Sequence, residues 1–477
     1  MVLKECMTLL KQANTKGSNW LALLVVMGGV FLSTMDSGMV NIAIPTIMRH
    51  FSLAIEEVEL VVTTYLLTIT ITLVFWGRIA DRKGFEKVYL AGLLVFSFGA
   101  WLCYFSETFT LLIASRFVQG FGASMMMSSG PAIIKTSFPV GNLGRNLGLV
   151  GIATACGLMT GPLVCGYLLT HFTWRSIFVV LGLLSLVSCC VGLVLFRSKL
   201  KPKKQHRPNG FDWPGGVCWV GIVILTINLL QNANQLMLLS TMIKVCALVS
   251  LIVFFIYVEK RASHPILPLH IFQNRYYWVA IVTASLSFLS LFSVLVLVPF
   301  YLEYVQHFSS KQIGVIMMSV PGTLILLSPT AGHLYDKIGA KYLTSFGLLV
   351  SCGALFGLSE LSNMSSILWI SVLLAGMGAG QSIFLSPNSA SVLSRVGDEK
   401  IGVTAGILAT ARNFGMVVGA TLATVLFAYF SAGMSPEMSV YNAQELDTTW
   451  FILALSSTLK CISGLAFVAC LVSMFRD

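Results

Sequence analysis

Asp36 is the residue in this chain whose chemistry is hardest to set aside. It lies in the stretch Ser33–Pro45, inside an apolar run that starts near Trp20. That puts it about 16 residues, or roughly 24 Å of helix, past the start of a membrane span. A carboxylate in hydrocarbon costs several kcal/mol unless it faces a wet cavity or holds a proton. The chemistry on offer is therefore proton loading and release, with a substrate cation able to compete for the same group. The structural alternative is that Asp36 hydrogen-bonds Ser or Thr neighbours and only pins its helix. It is the one acid well inside an apolar run, since Glu59 and Glu303 lie near outer ends. Arg116, which keeps its charge, falls about 12 Å into another run, a depth awkward for snorkelling. Beside Asp36 it would favour the ionised carboxylate and tune or relay the proton; otherwise it would satisfy backbone carbonyls. Gln119, one turn on, shares its face.

The elements that must position these groups follow from composition. Charged residues make up only 10% of the chain, where a soluble domain carries about 25%. Mean hydropathy is +0.85, so the expectation is an all-α polytopic membrane protein. The net charge of +11 does not call for nucleic acid, because cytoplasmic loops collect Lys and Arg. The head Met1–Ser18 is polar and has no small-residue cleavage site, so no signal peptide is expected. Eleven cysteines are scattered without a C-x-x-C pair, which predicts no structural disulfide and no metal.

A span needs about 20 mostly apolar residues. Fourteen runs meet that pattern: 20–47, 58–79, 87–106, 109–134, 143–169, 175–196, 214–232, 237–258, 277–302, 312–333, 342–360, 366–390, 402–430 and 450–474. With the amino terminus inside, only Arg49, Arg175 and Lys311 fall outside. Arg116, Lys244, Arg412 and Lys460 lie within runs, and the remaining lysines and arginines fall inside. The reverse orientation would invert the positive-inside bias. Both termini are thus expected in the cytoplasm. Lys244 and Lys460 are read mainly as snorkelling or packing residues, with a cavity-facing place left open for Lys460.

An internal repeat is visible. Gly77-x-x-x-Asp81-Arg82-x-Gly84 closes the second run, and Gly332-x-x-x-Asp336-Lys337-x-Gly339 closes the tenth, 255 residues later. The separation exceeds what six spans and a linker need, so runs seven and eight look inserted between two six-span halves. The expected domains are a bundle over 1–196, a basic linker over 197–213 with Pro202 and Pro208, two inserted spans over 214–258, and a second bundle over 259–477.

The Gly77–Gly84 loop resembles the first motif of the major facilitator superfamily, and the resemblance extends over nearly the whole chain. Arg116-Phe117-Val118-Gln119-Gly120 is similar to the family's R-x-x-Q-G motif. Gly148, Gly157, Gly161-Pro162 and Gly166 resemble its antiporter motif, with Cys165 in place of one glycine. Asp36, Asn41, Ala43 and Pro45 resemble the D-x-x-x-x-N-x-A-x-P motif of the fourteen-span drug:proton antiporters. Tyr301–Gln306, Gly376–Gly380, Pro387 and Arg412–Gly415 are also similar to that subgroup.

The resemblance implies two six-helix bundles plus two extra spans, alternating access, and proton-driven multidrug efflux of small amphipathic, often cationic compounds across the cytoplasmic membrane. Asp36 and Arg116 would couple to the proton. Gly157 and Gly161 would let the fifth span bend and slide on a span of the other half, with Pro162 kinking it; ordinary close packing by small residues is the alternative. Gly77, Asp81, Arg82 and Gly84 would form a gate latch, its acid bonding to a helix end in the other half, with Asp336 in a looser second copy. Arg412 would serve structure or gating, or line the substrate cavity with Asn41, Gln119, Tyr65 and Glu303. No cofactor is expected beyond the proton gradient, and the partners are substrate, protons and lipid, in a monomer. No nucleophile–base set or phosphate loop suggests an enzyme. An exporter of one metabolite, siderophore, fatty acid or lipid, or a proton-coupled importer, would use the same fold.

Overall fold

The computed structural model describes residues 2–53, 55–58, 60–138, 143–196, 212–231, 238–262, 265, 274–308, 310–397, 401–432 and 448–476. Among them every regular element is a helix. Twelve helices are long and apolar enough to cross a membrane, where fourteen spans were expected. The other two expected runs are also helical. Phe109–Ser137 has 29 residues but carries Arg116 and Lys135; the other is the shorter apolar helix Trp213–Leu229. The basic linker, at 197–211, lies outside the described residues.

The chain divides into two compact units. One comprises Met1–Pro208 with Leu393–Gly406, the other Asn209–Val392 with Ile407–Asp477. The second expected bundle, 259–477, is thus crossed by a segment that groups with the first unit, and the inserted spans group with the second.

The first unit contains α1 (Val2–Phe51), α2 (Ile55–Val58), α3 (Leu60–Lys83), α4 (Phe85–Tyr104), α5 (Phe109–Ser137), α6 (Leu143–His171) and α7 (Ser176–Phe196). Helix α5 starts where Thr108 turns extended and its side chain accepts from the Leu111 amide at 3.3 Å, meeting one of the donors a helix start leaves open. The closest pairs are α4 with α5, α1 with α6, and α3 with α5. Helix α5 is therefore held between α3 and α4, with α1 also against it.

The second unit contains α8 (Trp213–Gln231), α9 (Leu238–Arg261), α10 (Arg275–Tyr304), α11 (Ser310–Met317), α12 (Ser319–Ile338), α13 (Lys341–Ser359), α14 (Ile367–Ser394), α15 (Ile401–Ala432) and α16 (Thr448–Met474). The first turn of α15 belongs to the first unit. Leu, Val and Phe side chains of α10, α13 and α16 form the main core. Helices α8 and α9 pack chiefly on each other, and most of the α9 surface stays exposed and apolar.

Candidate functional site

The first unit buries an ion pair. Asp36 on α1 and Arg116 on α5 are both fully buried. Arg116 Nη1 donates to Asp36 Oδ1 at 2.8 Å and to Oδ2 at 3.0 Å. The same nitrogen reaches Gln119 Oε1 at 2.7 Å, and Gln119 Nε2 donates back to Asp36 Oδ1 at 3.2 Å. Arg116 Nε donates to the Val61 carbonyl on α3 at 3.1 Å. The Tyr65 ring lies 4.2 Å from the guanidinium carbon, a cation–π approach. The Tyr65 hydroxyl shares a 3.1 Å hydrogen bond with Ser33, one turn before Asp36. Arg116 Nη2 is buried and has no hydrogen-bond partner.

Three helices, α1, α3 and α5, thus converge on one ion pair. Asp36 was expected to face a wet cavity or hold a proton; in this conformation it is wholly enclosed, because Arg116 supplies the opposite charge that water would otherwise screen. Removing either member from such a pair leaves an uncompensated buried charge.

The glycine face of α6 packs on α1 beside the acid. A Cβ on Gly157 would collide with Thr34 Oγ1 and lie 2.6 Å from the Phe31 carbonyl; one on Gly161 would lie 2.9 Å from the Met35 carbonyl. Cys165, standing where the motif has glycine, donates its thiol to the Met39 carbonyl at 3.2 Å. The face expected to slide on the other half is packed here on α1 of its own unit, since the missing side chains allow backbone to meet backbone around Asp36. Pro162 falls within α6, and its ring lies outside the described side chains.

The Gly77–Gly84 loop has its own geometry. Asp81, near the end of α3, accepts from the Gly402 amide at 2.7 Å through Oδ1 and from the Val403 amide at 2.9 Å through Oδ2. It therefore caps the start of α15, where unpaired N–H groups and the helix dipole favour an anion. Gly77 makes this approach possible: a Cβ there would collide with the Gly402 carbonyl. Gly84 has φ 98° and its repeat counterpart Gly339 has φ 81°, a region open to glycine but strained for other residues. Lys135 on α5 donates to the Val396 carbonyl in the same unit. Arg82 and Asp336 are partly buried.

The other anticipated residues are dispersed. Asn41 and Glu303 are exposed, on α1 and α10. Arg412 is half-buried on α15. Counting on by the repeat spacing from Asp36 and Arg116 leads to Leu291 and Ser371, so the charged pair has no copy in the second unit. That unit's interior is instead rich in neutral polar groups: Ser287 donates to Gln381 Oε1 at 2.6 Å, and Ser328 pairs with Ser382 at 3.2 Å. Sequence reasoning missed Ser33 and the Val61 carbonyl. Ser33 precedes Asp36 by three residues and could have been found by helical spacing; the carbonyl leaves no signal in residue type.

Comparison with known proteins adds the following. The Major Facilitator Superfamily profile matches residues 26–420. The chain is 29% identical to a riboflavin transporter, RibZ of Clostridioides difficile, over 96% of this chain and 97% of that protein. It is 27% identical to the multidrug resistance protein Stp of Mycobacterium tuberculosis, over 86% of this chain and 76% of Stp. The solved human organic anion transporter MFSD10 superposes with a TM-score of 0.65 at 14% identity, covering 95% of this chain and 99% of that one; this likeness speaks to the fold alone.

Proposed function

Because the chain belongs to the Major Facilitator Superfamily, we propose that it is a proton-coupled antiporter exporting small amphipathic compounds by alternating access. The carrying observation is the buried Asp36–Arg116–Gln119 cluster. A proton arriving on Asp36 cancels the carboxylate charge and leaves Arg116 unpaired in a dry site. Leaving a buried charge without its partner costs about 3–5 kcal/mol. That is enough to bias the helices toward a conformation in which Arg116 finds water or another acceptor. The already unpaired Nη2 marks where such an acceptor would sit. Movement of α1 would be felt at α6 through the glycine contacts, and movement of α3 at the Asp81 cap.

The proposal places fourteen spans in the cytoplasmic membrane, with both termini inside. It counts α5 as a span although Arg116 lowers its hydropathy, because the arginine is neutralised within the bundle. The named relatives are transporters, and no enzymatic role is proposed. Multidrug export draws support from the likeness to Stp. A second reading, a carrier of one dedicated metabolite, draws support from the riboflavin transporter, which matches along nearly its full length.

The test is transport in proteoliposomes with an imposed pH gradient, comparing wild type with Asp36→Asn. The variant should lose gradient-driven accumulation while keeping substrate exchange at zero gradient. Unchanged accumulation in Asp36→Asn would assign the proton to another group.

A further inference from the structure

Four cations fall within the apolar runs, and three of them have partners. Arg116 holds Asp36. Lys244 donates to Asn228 Oδ1 at 3.0 Å. Lys460 pairs with Glu360 at 2.9 Å. Arg412 differs: among the described residues it makes no hydrogen bond and no ion pair. It lies on α15, about 16 Å from the helix start at Ile401, which is near the middle of a hydrocarbon layer roughly 30 Å thick. Snorkelling to an interface is out of reach at that depth. Its helix neighbours Ala411 and Asn413 are buried, and the Ala411 carbonyl accepts from Ser285 of α10 at 2.9 Å, so this part of α15 is packed while Arg412 keeps an open side. Two further donors in the same unit, Gln381 Nε2 on α14 and Thr410 Oγ1 on α15, are buried without a partner.

The charge inventory therefore runs against a cationic cargo. Asp36, the acid deepest in a span, is filled by Arg116 and Gln119. Among the described residues of the second unit, the charge deep in a span that lacks a partner is that of Arg412, and it is positive. We infer that Arg412 docks the transported compound through an anionic, oxygen-bearing group, so that the cargo is an acidic amphiphile rather than a cation. A guanidinium presents planar paired donors suited to a carboxylate, and an unpaired arginine at this depth is expected to mark a substrate path. This inference rests on the export reading and names the class of compound it carries.

The experiment measures binding to the full chain in detergent by fluorescence anisotropy, with carboxyfluorescein as the anionic probe and ethidium as the cationic one. Wild type should bind carboxyfluorescein the more tightly. Arg412→Gln should weaken that binding about tenfold, the scale of one charge-assisted hydrogen bond, and Arg412→Lys should recover most of it. Equal affinity in wild type and Arg412→Gln, or tighter binding of ethidium than of carboxyfluorescein, would overturn the assignment. Should Arg412→Gln not fold, wild type alone decides: carboxyfluorescein must bind more tightly than its uncharged ester, and equal affinities count against Arg412. Intact anion binding without gradient-driven flux would sink the antiport reading and leave the docking role standing.

Discussion

At the scale of single residues, the ion pair yields a sharp contrast. Arg116→Ala strands the Asp36 carboxylate in a dry site, and the expected loss is about 3–5 kcal/mol. The double variant Asp36→Asn with Arg116→Gln removes both charges and should be the more stable of the two in thermal unfolding. If the double variant is no better than Arg116→Ala, the enclosure of the pair is not what holds these helices. Asp36 and Arg116 were legible in the sequence because charge at membrane depth is rare and costly, and Gln119 because it falls one turn beyond Arg116. Their mutual bonding was less so, since residue type gives depth along a helix but not the neighbour it meets. Tyr65 illustrates the limit: it was expected to line a substrate cavity, and its ring instead covers the guanidinium in this conformation. Asn41, five residues beyond Asp36, is exposed, because that spacing carries it about 140° around the helix.

At the scale of elements, two contacts hold neighbouring helices together. Gly157→Ala places a methyl against Thr34 and the Phe31 carbonyl, and overpacking of this kind typically costs about 1–3 kcal/mol. Gly166→Ala meets open space and should leave the unfolding temperature unchanged, so the pair of variants separates backbone contact from a general effect of the motif. The cap on α15 gives a second test. Asp81→Ala removes the acceptor of the Gly402 and Val403 amides, and loss of such a cap costs about 1 kcal/mol. Hydrogen–deuterium exchange of residues 401–406 should accelerate by about fivefold, the same free energy expressed as an opening equilibrium. No acceleration would mean that Asp81 is not what seats this turn. The loop was readable from its glycines and acid. The identity of the helix start it caps was not, since a backbone amide carries no residue signature.

At the scale of the whole molecule, the α8–α9 hairpin stands apart. Its helices pack chiefly on each other, and α9 keeps most of its surface exposed. Replacing residues 212–262 by a flexible linker should therefore leave the unfolding temperature of the remainder nearly unchanged, and a large drop would show that the hairpin supports the second unit. The repeat is the reason the hairpin was expected to be an insertion: the two glycine–aspartate loops are 255 residues apart, more than six spans and a linker need. What the repeat could not convey is how far the halves have diverged. The loops survive in both, down to the glycines with positive φ, but the charged pair survives in one.

That divergence has a bearing on how such a carrier changes over generations. With Leu291 and Ser371 standing where the mirror of Asp36 and Arg116 would be, the machinery proposed to handle the driving ion would be confined to one half. Mutations lining the other half can then retune which compound is carried without disturbing the energy source. A lineage could diversify its cargo one neutral side chain at a time, and swapping second halves between relatives should transfer preference while leaving the fuel the same.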